Sequence, residues 1–471
     1  MPLRNAVLAV GIVTLAGCAT VNVDRAIAQA NQDASAFTNG ALSLTQNADQ
    51  RANASAAVAQ LLASPLDQER AVRVALLNSA NLQALLAQHW ANSAMAAQSG
   101  RLPNPILTLE RVRTPSETEI GRLLAFGLLD LLTLPQRYRT AQARIDQLQL
   151  QLSADVIGEV TEVRQAWVAA VAAQQSLGYA QQVFDSAEAS AELARRMYSV
   201  GNFTKLQRAR QQSFYADAAT QLAAASHAAT ASREAFVRKL GLSQPQAASL
   251  KLPDRLPDIP AAPQSAIEVS QTAATERLDV RIAQASLQSA ARAQGLSWLT
   301  SLTDIEMGVI RNTAIEREDG HRTTARGVEL EIKLPLFDWG DAQRAAMSAQ
   351  TLVAANRLEA ITHEANSRLR EVYSAYRTSY DVAKHYRDEI VPLRKQIAEE
   401  NVLRYNGMLI GVFELLADAR DQVGSVIAAI NAQQQFWMAD AALRAAMIGK
   451  PMSAPMMGVA PAAGGGGDAP H

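Results

Sequence analysis

Cysteine is nearly absent. The chain of 471 residues holds one, Cys18, so no intrachain disulfide can staple it. Aromatic residues are scarce, at 5% against 48% hydrophobic, which points to extended helical packing more than to a compact aromatic core. Neither sign of charge dominates: 44 basic and 45 acidic side chains leave a formal net charge of -1, which gives no support for nucleic-acid binding. No stretch matches a P-loop or a Cys/His zinc pattern. The histidines (His89, His227, His321, His363, His385 and His471) are scattered without ligand spacing. The sequence therefore reads as a non-enzyme without cofactor. Beyond the N-terminus no run of ~20 apolar residues offers a transmembrane helix.

What is present begins at the N-terminus. Residues 1–17 carry one basic residue (Arg4), the apolar run Ala6 to Leu15 and then small residues, the pattern of a secretory signal peptide. The ending Leu15-Ala-Gly-Cys18 resembles a bacterial lipobox, which makes Cys18 the lipidated first residue of the mature protein. An ordinary signal peptide with an incidental cysteine is the alternative. No aspartate follows Cys18 to suggest inner-membrane retention, so the resemblance implies the outer membrane. Residues 18–66, rich in Ala, Gln, Asn and Ser, read as a lipidated spacer.

The chain is organised around Lys333-Leu-Pro-Leu-Phe-Asp-Trp-Gly-Asp341, where the period of the sequence changes. Before it Val328, Leu330, Ile332 and Leu334 alternate with Glu329, Glu331 and Lys333, a strand pattern. After it a run without proline until Pro392 reads as helix, with a kink at that proline. A fainter twin stands at Leu134-Pro-Gln-Arg-Tyr-Arg139, an offset of 200 residues between Pro135 and Pro335. Around the twins the chain repeats one plan. The first copy, 67–243, holds a helix from Asp67 to about Ser99, strands within 106–134 around the loop Thr114 to Thr118, and an α-hairpin over 136–240. Its second strand, Arg122 to Leu134, is nearly all apolar and by periodicity alone could be a helix. A proline-rich linker covers 244–265. The second copy, 266–448, holds strands within 303–334 and an α-hairpin over 341–447. Glu276 to Val280 stands where Asn78 to Leu82 stood, at an offset of 198. The tail, 449–471, reads as disordered.

These elements constrain one another. Four strands cannot close a barrel, and the smallest single-chain membrane barrels use eight. Open edges are not tolerated in lipid, so strands that enter a membrane require several copies of the chain. Val328, Leu330 and Ile332 would then meet lipid, Glu329 and Glu331 water, and Trp298, Phe337 and Trp339 an interfacial girdle. A soluble antiparallel sheet with one wet face is the other reading. Helices of ~100 Å must bury their apolar stripes on one another, as a coiled-coil bundle or helical tube.

Leu334-Pro-Leu-Phe-Asp-Trp-Gly340, Leu102-Pro-Asn-Pro105, Arg277-Leu-Asp279 and the turns at Tyr198 to Gly201 and Tyr405 to Gly407 together resemble the signatures of the TolC-type outer membrane factors of tripartite efflux pumps. The resemblance spans about residues 67–448. It implies a mainly α fold with membrane β: a homotrimer whose four strands per chain form a 12-stranded barrel and whose hairpins form a periplasmic α-helical barrel. It implies a lipid-anchored outer membrane channel that passively conducts substrate. The partners it implies are a periplasmic membrane-fusion adaptor, an inner-membrane transporter of RND, MFS or ABC type, and outer membrane lipid. The turns become the periplasmic tip, with Val200, Gly201, Gly407 and Gly411 facing the adaptor and Tyr198 and Tyr405 as gate tyrosines. Pro135, Pro335, Phe337 and Trp339 become the joint between barrel and tunnel.

In the second turn glycine follows Tyr405 after one residue, where the family pattern has two. Glu414 and Asp418, four apart on one helix face, would form acidic rings in a trimer, or a solvated face partnered by Arg420. Met452, Met456 and Met457 could hold a soft ion, or belong to a plain flexible tail. The competing functions are a periplasmic coiled-coil scaffold lipoprotein and a type I secretion conduit. The sequence does not name the substrate.

Overall fold

Proline-free runs of the sequence are helices in the computed structural model, which describes residues 22–450 except 302. The signal peptide, Cys18, Met452, Met456 and Met457 lie outside the described residues. In chain order the segment before the first copy contains α1 (Val23–Asp33), α2 (Ser35–Thr38) and α3 (Ala48–Leu62), and the first copy contains α4 (Gln68–Asn78), α5 (Ala80–Ser99), β1 (Ile106–Arg113), β2 (Glu117–Gly127), α6 (Leu128–Ser199) and α7 (Lys205–Leu240). The linker holds the short α8 (Gln244–Ser249). The second copy contains α9 (Ala266–Glu276), α10 (Leu278–Thr300), β3 (Ile305–Glu316), β4 (Arg322–Ile332), α11 (Asp341–His385), a π-helical turn (Tyr386–Ile390), α12 (Val391–Asn406) and α13 (Val412–Met447).

The duplication is visible in the backbone. The helix expected from Asp67 to Ser99 is interrupted at Ser79 (φ -67°, ψ 114°). The equivalent helix is interrupted at Arg277 (φ -66°, ψ 105°), which is Ser79 shifted by the 198-residue offset. One extended residue re-aims the helix in both copies. The compact units nevertheless cut across the copies: one comprises residues 22–30, 85–153 and 278–364, the other 31–84, 154–277 and 365–450.

The first unit contains the sheet. Its strands are antiparallel in the order β1-β2-β3-β4, so the middle pairing, β2 with β3, joins the two sequence copies. The strand expected to run to Leu134 stops at Gly127, and helix begins at Leu128. Leu128 to Leu134 does not alternate, and the local polar groups complete a helical turn. The Thr133 hydroxyl donates to the Leu129 carbonyl (2.8 Å), and Asp130, in the first turn where the helix dipole favours an acid, pairs with Arg137. Pro135 thus lies inside α6 and is not the joint. Pro335 lies in the non-helical link between Ile332 and Asp341. One proline signal accompanies two different structures.

That link closes on Gly340. Its φ is +68°, and a Cβ there would lie 2.5 Å from the Ser301 carbonyl oxygen and 2.7 Å from Ser301 Cβ. Asp338 Oδ1 accepts from the Gly340 N–H (2.8 Å), while Arg344 donates to the Trp339 carbonyl (2.7 Å) and to Ser301 Oγ (3.0 Å). Asp-Trp-Gly is therefore a turn motif that starts α11. Gly340→Ala is expected to cost about 2 kcal/mol, from the left-handed backbone and the contact with Ser301. Thermal melts by circular dichroism would read it.

The second unit carries the largest aromatic cluster among the described residues. Tyr376 and Tyr380 of α11 pack on Phe436 of α13 with ring centroids 5.6 and 5.7 Å apart, and Trp437 meets Phe436 at 5.0 Å. The proline-rich linker is strapped to this cluster. Tyr380 Oη donates to the Ala261 carbonyl (2.8 Å), Tyr373 Oη to the Gln264 carbonyl (3.1 Å) and Trp437 Nε1 to the Pro257 carbonyl (2.9 Å), while Tyr376 Oη accepts from the Gln264 N–H (3.1 Å). A segment without secondary structure must satisfy its backbone with side chains, and these aromatics do so. Pro392, which has no N–H to donate, is preceded by the π-helical turn, a local rearrangement that accommodates the missing bond.

Close by, Asp440 is buried and accepts from Arg444 Nε (2.8 Å). Arg164, also buried, donates to the Ala36 carbonyl (3.3 Å) and covers the Phe37 ring. Burial pushes the Asp440 carboxyl above its usual range, against the opposing pull of Arg444 and Arg164. An acid whose folded pKa is raised contributes less stability as pH rises from the free-carboxyl value of 3.8 through its folded pKa. Asp440→Asn removes that titration. The stability of wild type relative to this variant, measured in melts from about pH 3 to about pH 7, is expected to fall as pH rises.

Candidate functional site

Two regions hold the residues singled out by the sequence, one in each compact unit.

The first is the pair of turns that close the helical hairpins. After α6, Gly201 has φ +80°. Its N–H donates to the Tyr198 carbonyl (3.1 Å), and the Asn202 N–H donates to the Met197 carbonyl (2.9 Å). After α12, the Met408 N–H donates to the Tyr405 carbonyl (2.9 Å) and the Leu409 N–H to the Arg404 carbonyl (2.9 Å). Both are Schellman caps with the left-handed residue three places after the tyrosine. In the second turn that residue is Met408, at φ +59°, while Gly407 has φ -80°. Gly407 is thus the positional counterpart of Val200, and Met408 that of Gly201. The sequence departure noted after Tyr405 is a displaced glycine within an unchanged backbone motif.

The turn residues are presented outward: Val200 is 70% and Met408 93% exposed. Tyr198 lies under the Arg208 guanidinium, 4.2 Å from its ring centroid. Tyr405 is exposed. Gly411 is the N-cap of α13, whereas α7 opens on a Thr204–Gln207 capping box. Two residues missed by the sequence reading join the turns, for Phe203 packs on Phe413 with centroids 4.6 Å apart. Each lies within a few residues of its turn, and that proximity was the available signal.

The acidic pair is not held by Arg420. Asp418 accepts from the side-chain amide of Asn401, and Arg420 faces Asp421 (3.5 Å) and the Phe214 ring. Glu414 is exposed.

The second region is the sheet. Alternation puts residues of one parity on one face, and the register aligns those faces across all four strands. On one face Leu107, Leu124, Val309 and Val328 form a continuous apolar rung, followed toward the helix-connected end by Phe126, Met307 and Leu330. Leu107 is 61% and Val328 68% exposed, so none of the described residues covers that rung. The same face carries every arginine of the strands: Arg111, Arg113, Arg122, Arg311, Arg322 and Arg326. The opposite face carries every glutamate: Glu110, Glu117, Glu119, Glu306, Glu316, Glu329 and Glu331. That second face also carries Gly121, Ala125, Gly308, Ala314, Ala325 and Gly327, together with the larger Ile106, Val112, Leu123 and Ile310. β1 and β4 are exposed along their whole length and leave two unpaired edges. Phe337 is 99% and Trp339 59% exposed in the link after β4.

No family model and no curated protein matches the sequence. Solved structures do. A membrane protein from Pseudomonas aeruginosa aligns with TM-score 0.66 and 21% identity, covering 82% of this chain and 95% of its own. The CmeC outer membrane channel of Campylobacter jejuni aligns with TM-score 0.64 and 14% identity over 83% of this chain and 86% of its own. The outer membrane protein VceC of Vibrio cholerae aligns with TM-score 0.62 and 16% identity over 84% and 96%. The chain has the fold of an outer membrane channel. In this chain that fold comprises four strands in one sheet and two long helical hairpins among the described residues.

The cap geometry makes a quantitative contrast between the two turns of this channel fold. A non-glycine residue in the left-handed region costs about 1 kcal/mol or more, whereas glycine is free to adopt it. Gly201→Ala is expected to lower stability by about 1 kcal/mol, and Met408→Gly to leave it unchanged or raise it by up to about 1 kcal/mol. Paired denaturation curves of the two variants would check the difference in sign.

Proposed function

We propose that the protein is an outer membrane efflux channel, a passive conduit between the periplasm and the exterior. The observation that carries this is the open four-stranded sheet with one apolar face. Unpaired edges cannot stand in lipid, and four strands fall short of the eight that the smallest single-chain membrane barrels use. Three copies joined edge to edge, β4 of one against β1 of the next, give the 12-stranded barrel implied by the sequence resemblance. The apolar face meets lipid, and the glutamate-bearing face lines the lumen. Phe337 and Trp339 sit at the periplasmic interface, where amphipathic aromatic residues belong. The channel fold shared with CmeC and VceC supports this reading.

The hairpins would form the periplasmic tunnel, and the turns its tip. A membrane-fusion adaptor would dock at Val200, Gly201, Gly407, Met408 and Gly411, with energy supplied by an inner-membrane transporter through that adaptor. Tyr198 and Tyr405 are gate candidates. Threefold repetition of Glu414 and Asp418 would place acidic rings at the constriction, favouring cations. Lipidation at Cys18 would anchor each chain.

The test is oligomerisation with conductance. The purified full chain is expected to run as an SDS-resistant oligomer that heating converts to a monomer, and to open steps of conductance in a planar bilayer. A monomer without conductance would overturn the proposal.

A further inference from the structure

The segregation of charge across the sheet is complete: six arginines on the apolar face, seven glutamates on the other, none exchanged. A water-filled lumen accounts for the glutamates. It does not account for the arginines, which share their face with the rungs that meet lipid.

Their positions along the strands are ordered. The strand ends at Ile106, Gly127, Ile305 and Ile332 are those connected to helices, and the opposite ends carry the loops 114–116 and 317–321. Apolar rungs occupy the helix-connected half, and all six arginines lie in the loop half. Arg311 is paired in register with Arg326, and Arg122 falls on the same rung between Leu109 and Arg311. Adjacent strands are ~4.8 Å apart, so three guanidinium stems rise side by side from neighbouring strands. Like charges directly opposite destabilise a sheet, and no acidic residue of the four strands shares that face. All six arginines are exposed and none forms an ion pair among the described residues; the Thr313 hydroxyl accepts from Arg122 (3.4 Å). A row of planar forks without carboxylates suits a ligand that brings several anionic oxygens, and phosphate matches that geometry bidentately.

The height fits a membrane surface. Eleven residues of β4, tilted by about 40°, rise roughly 25 Å, about the height of a barrel's apolar band. Arg322 then reaches the outer border of that band, and Arg326, Arg311 and Arg122 lie below it, placed to extend their heads outward along the surface. We infer that the arginine rungs form a binding surface for phosphorylated lipid headgroups of the outer leaflet, which neutralise the repulsion between them and lock the strands of neighbouring copies. This rests on the channel reading, because only a membrane-inserted sheet meets such lipid.

The test uses the full-length oligomer in phosphatidylcholine vesicles, alone, with added diphosphoryl lipid A, with its dephosphorylated form, or with inorganic phosphate. Heat dissociation of the oligomer and retained lipid by native mass spectrometry are the readouts. Diphosphoryl lipid A is expected to raise the dissociation temperature, and the other two additions are not. The triple variant Arg122→Gln, Arg311→Gln, Arg326→Gln is expected to lose that rise and to retain about ten-fold less lipid A, with conductance unchanged. Lysines at the same three positions would keep part of the effect. Equal stabilisation of wild type by the dephosphorylated lipid or by inorganic phosphate overturns the inference, as does a full response in the glutamine variant. Should that variant not assemble, the preference of wild type among the four conditions decides alone. A wild type that conducts but shows no preference removes this inference and leaves the channel intact; a wild type that neither assembles nor conducts removes both.

Discussion

Unpaired strand edges are the constraint on which the rest depends. β1 and β4 present free N–H and C=O groups along their full length, and such edges invite further strands. Within one chain the only closed solution would be a barrel, which four strands cannot form. The pairing of β2 with β3 ties the two sequence copies into one sheet, and the outer edges stay open. The apolar rung from Leu107 to Val328 lies bare for the same reason.

The helical part faces a different demand, that of satisfying backbone where the chain must turn or cross. The linker after Ser249 is tied down by tyrosine hydroxyls and an indole N–H from α11 and α13. The hairpin turns after Tyr198 and Tyr405 end their helices with one cap geometry, although one uses glycine and the other methionine in the left-handed position. Backbone hydrogen bonding is the conserved quantity between the two copies, and the side chains adapt around it. The outward-facing Met408 keeps an apolar, flexible side chain exposed at some local cost in strain.

How much could be read beforehand varies from element to element. β4 was legible because its alternation is clean, and the 198-residue offset put Ser79 and Arg277 in correspondence before their shared break was seen. The run Leu128 to Leu134 was misassigned because a continuous apolar stretch has no period to read; the side chains of Asp130, Thr133 and Arg137 decided for helix. Pro135 misled for a related reason, since proline is compatible with both a strand exit and an early helical turn. The tip glycine was matched by residue type when distance from the tyrosine was the conserved feature. Parity along each strand was readable throughout, yet the charge separation emerges only when four separate strands are placed in register.

The sequence by itself determined that this chain alternates long helices with short strands and that it does so twice. These follow from local properties: period, breakers and composition act over a few residues. The tertiary structure alone decided which strands are neighbours, that the six arginines of the strands share one face with the apolar rungs, and which residue of each turn carries the left-handed backbone. Those outcomes depend on register and on hydrogen bonds between segments far apart in the chain, and no local pattern specifies a partner.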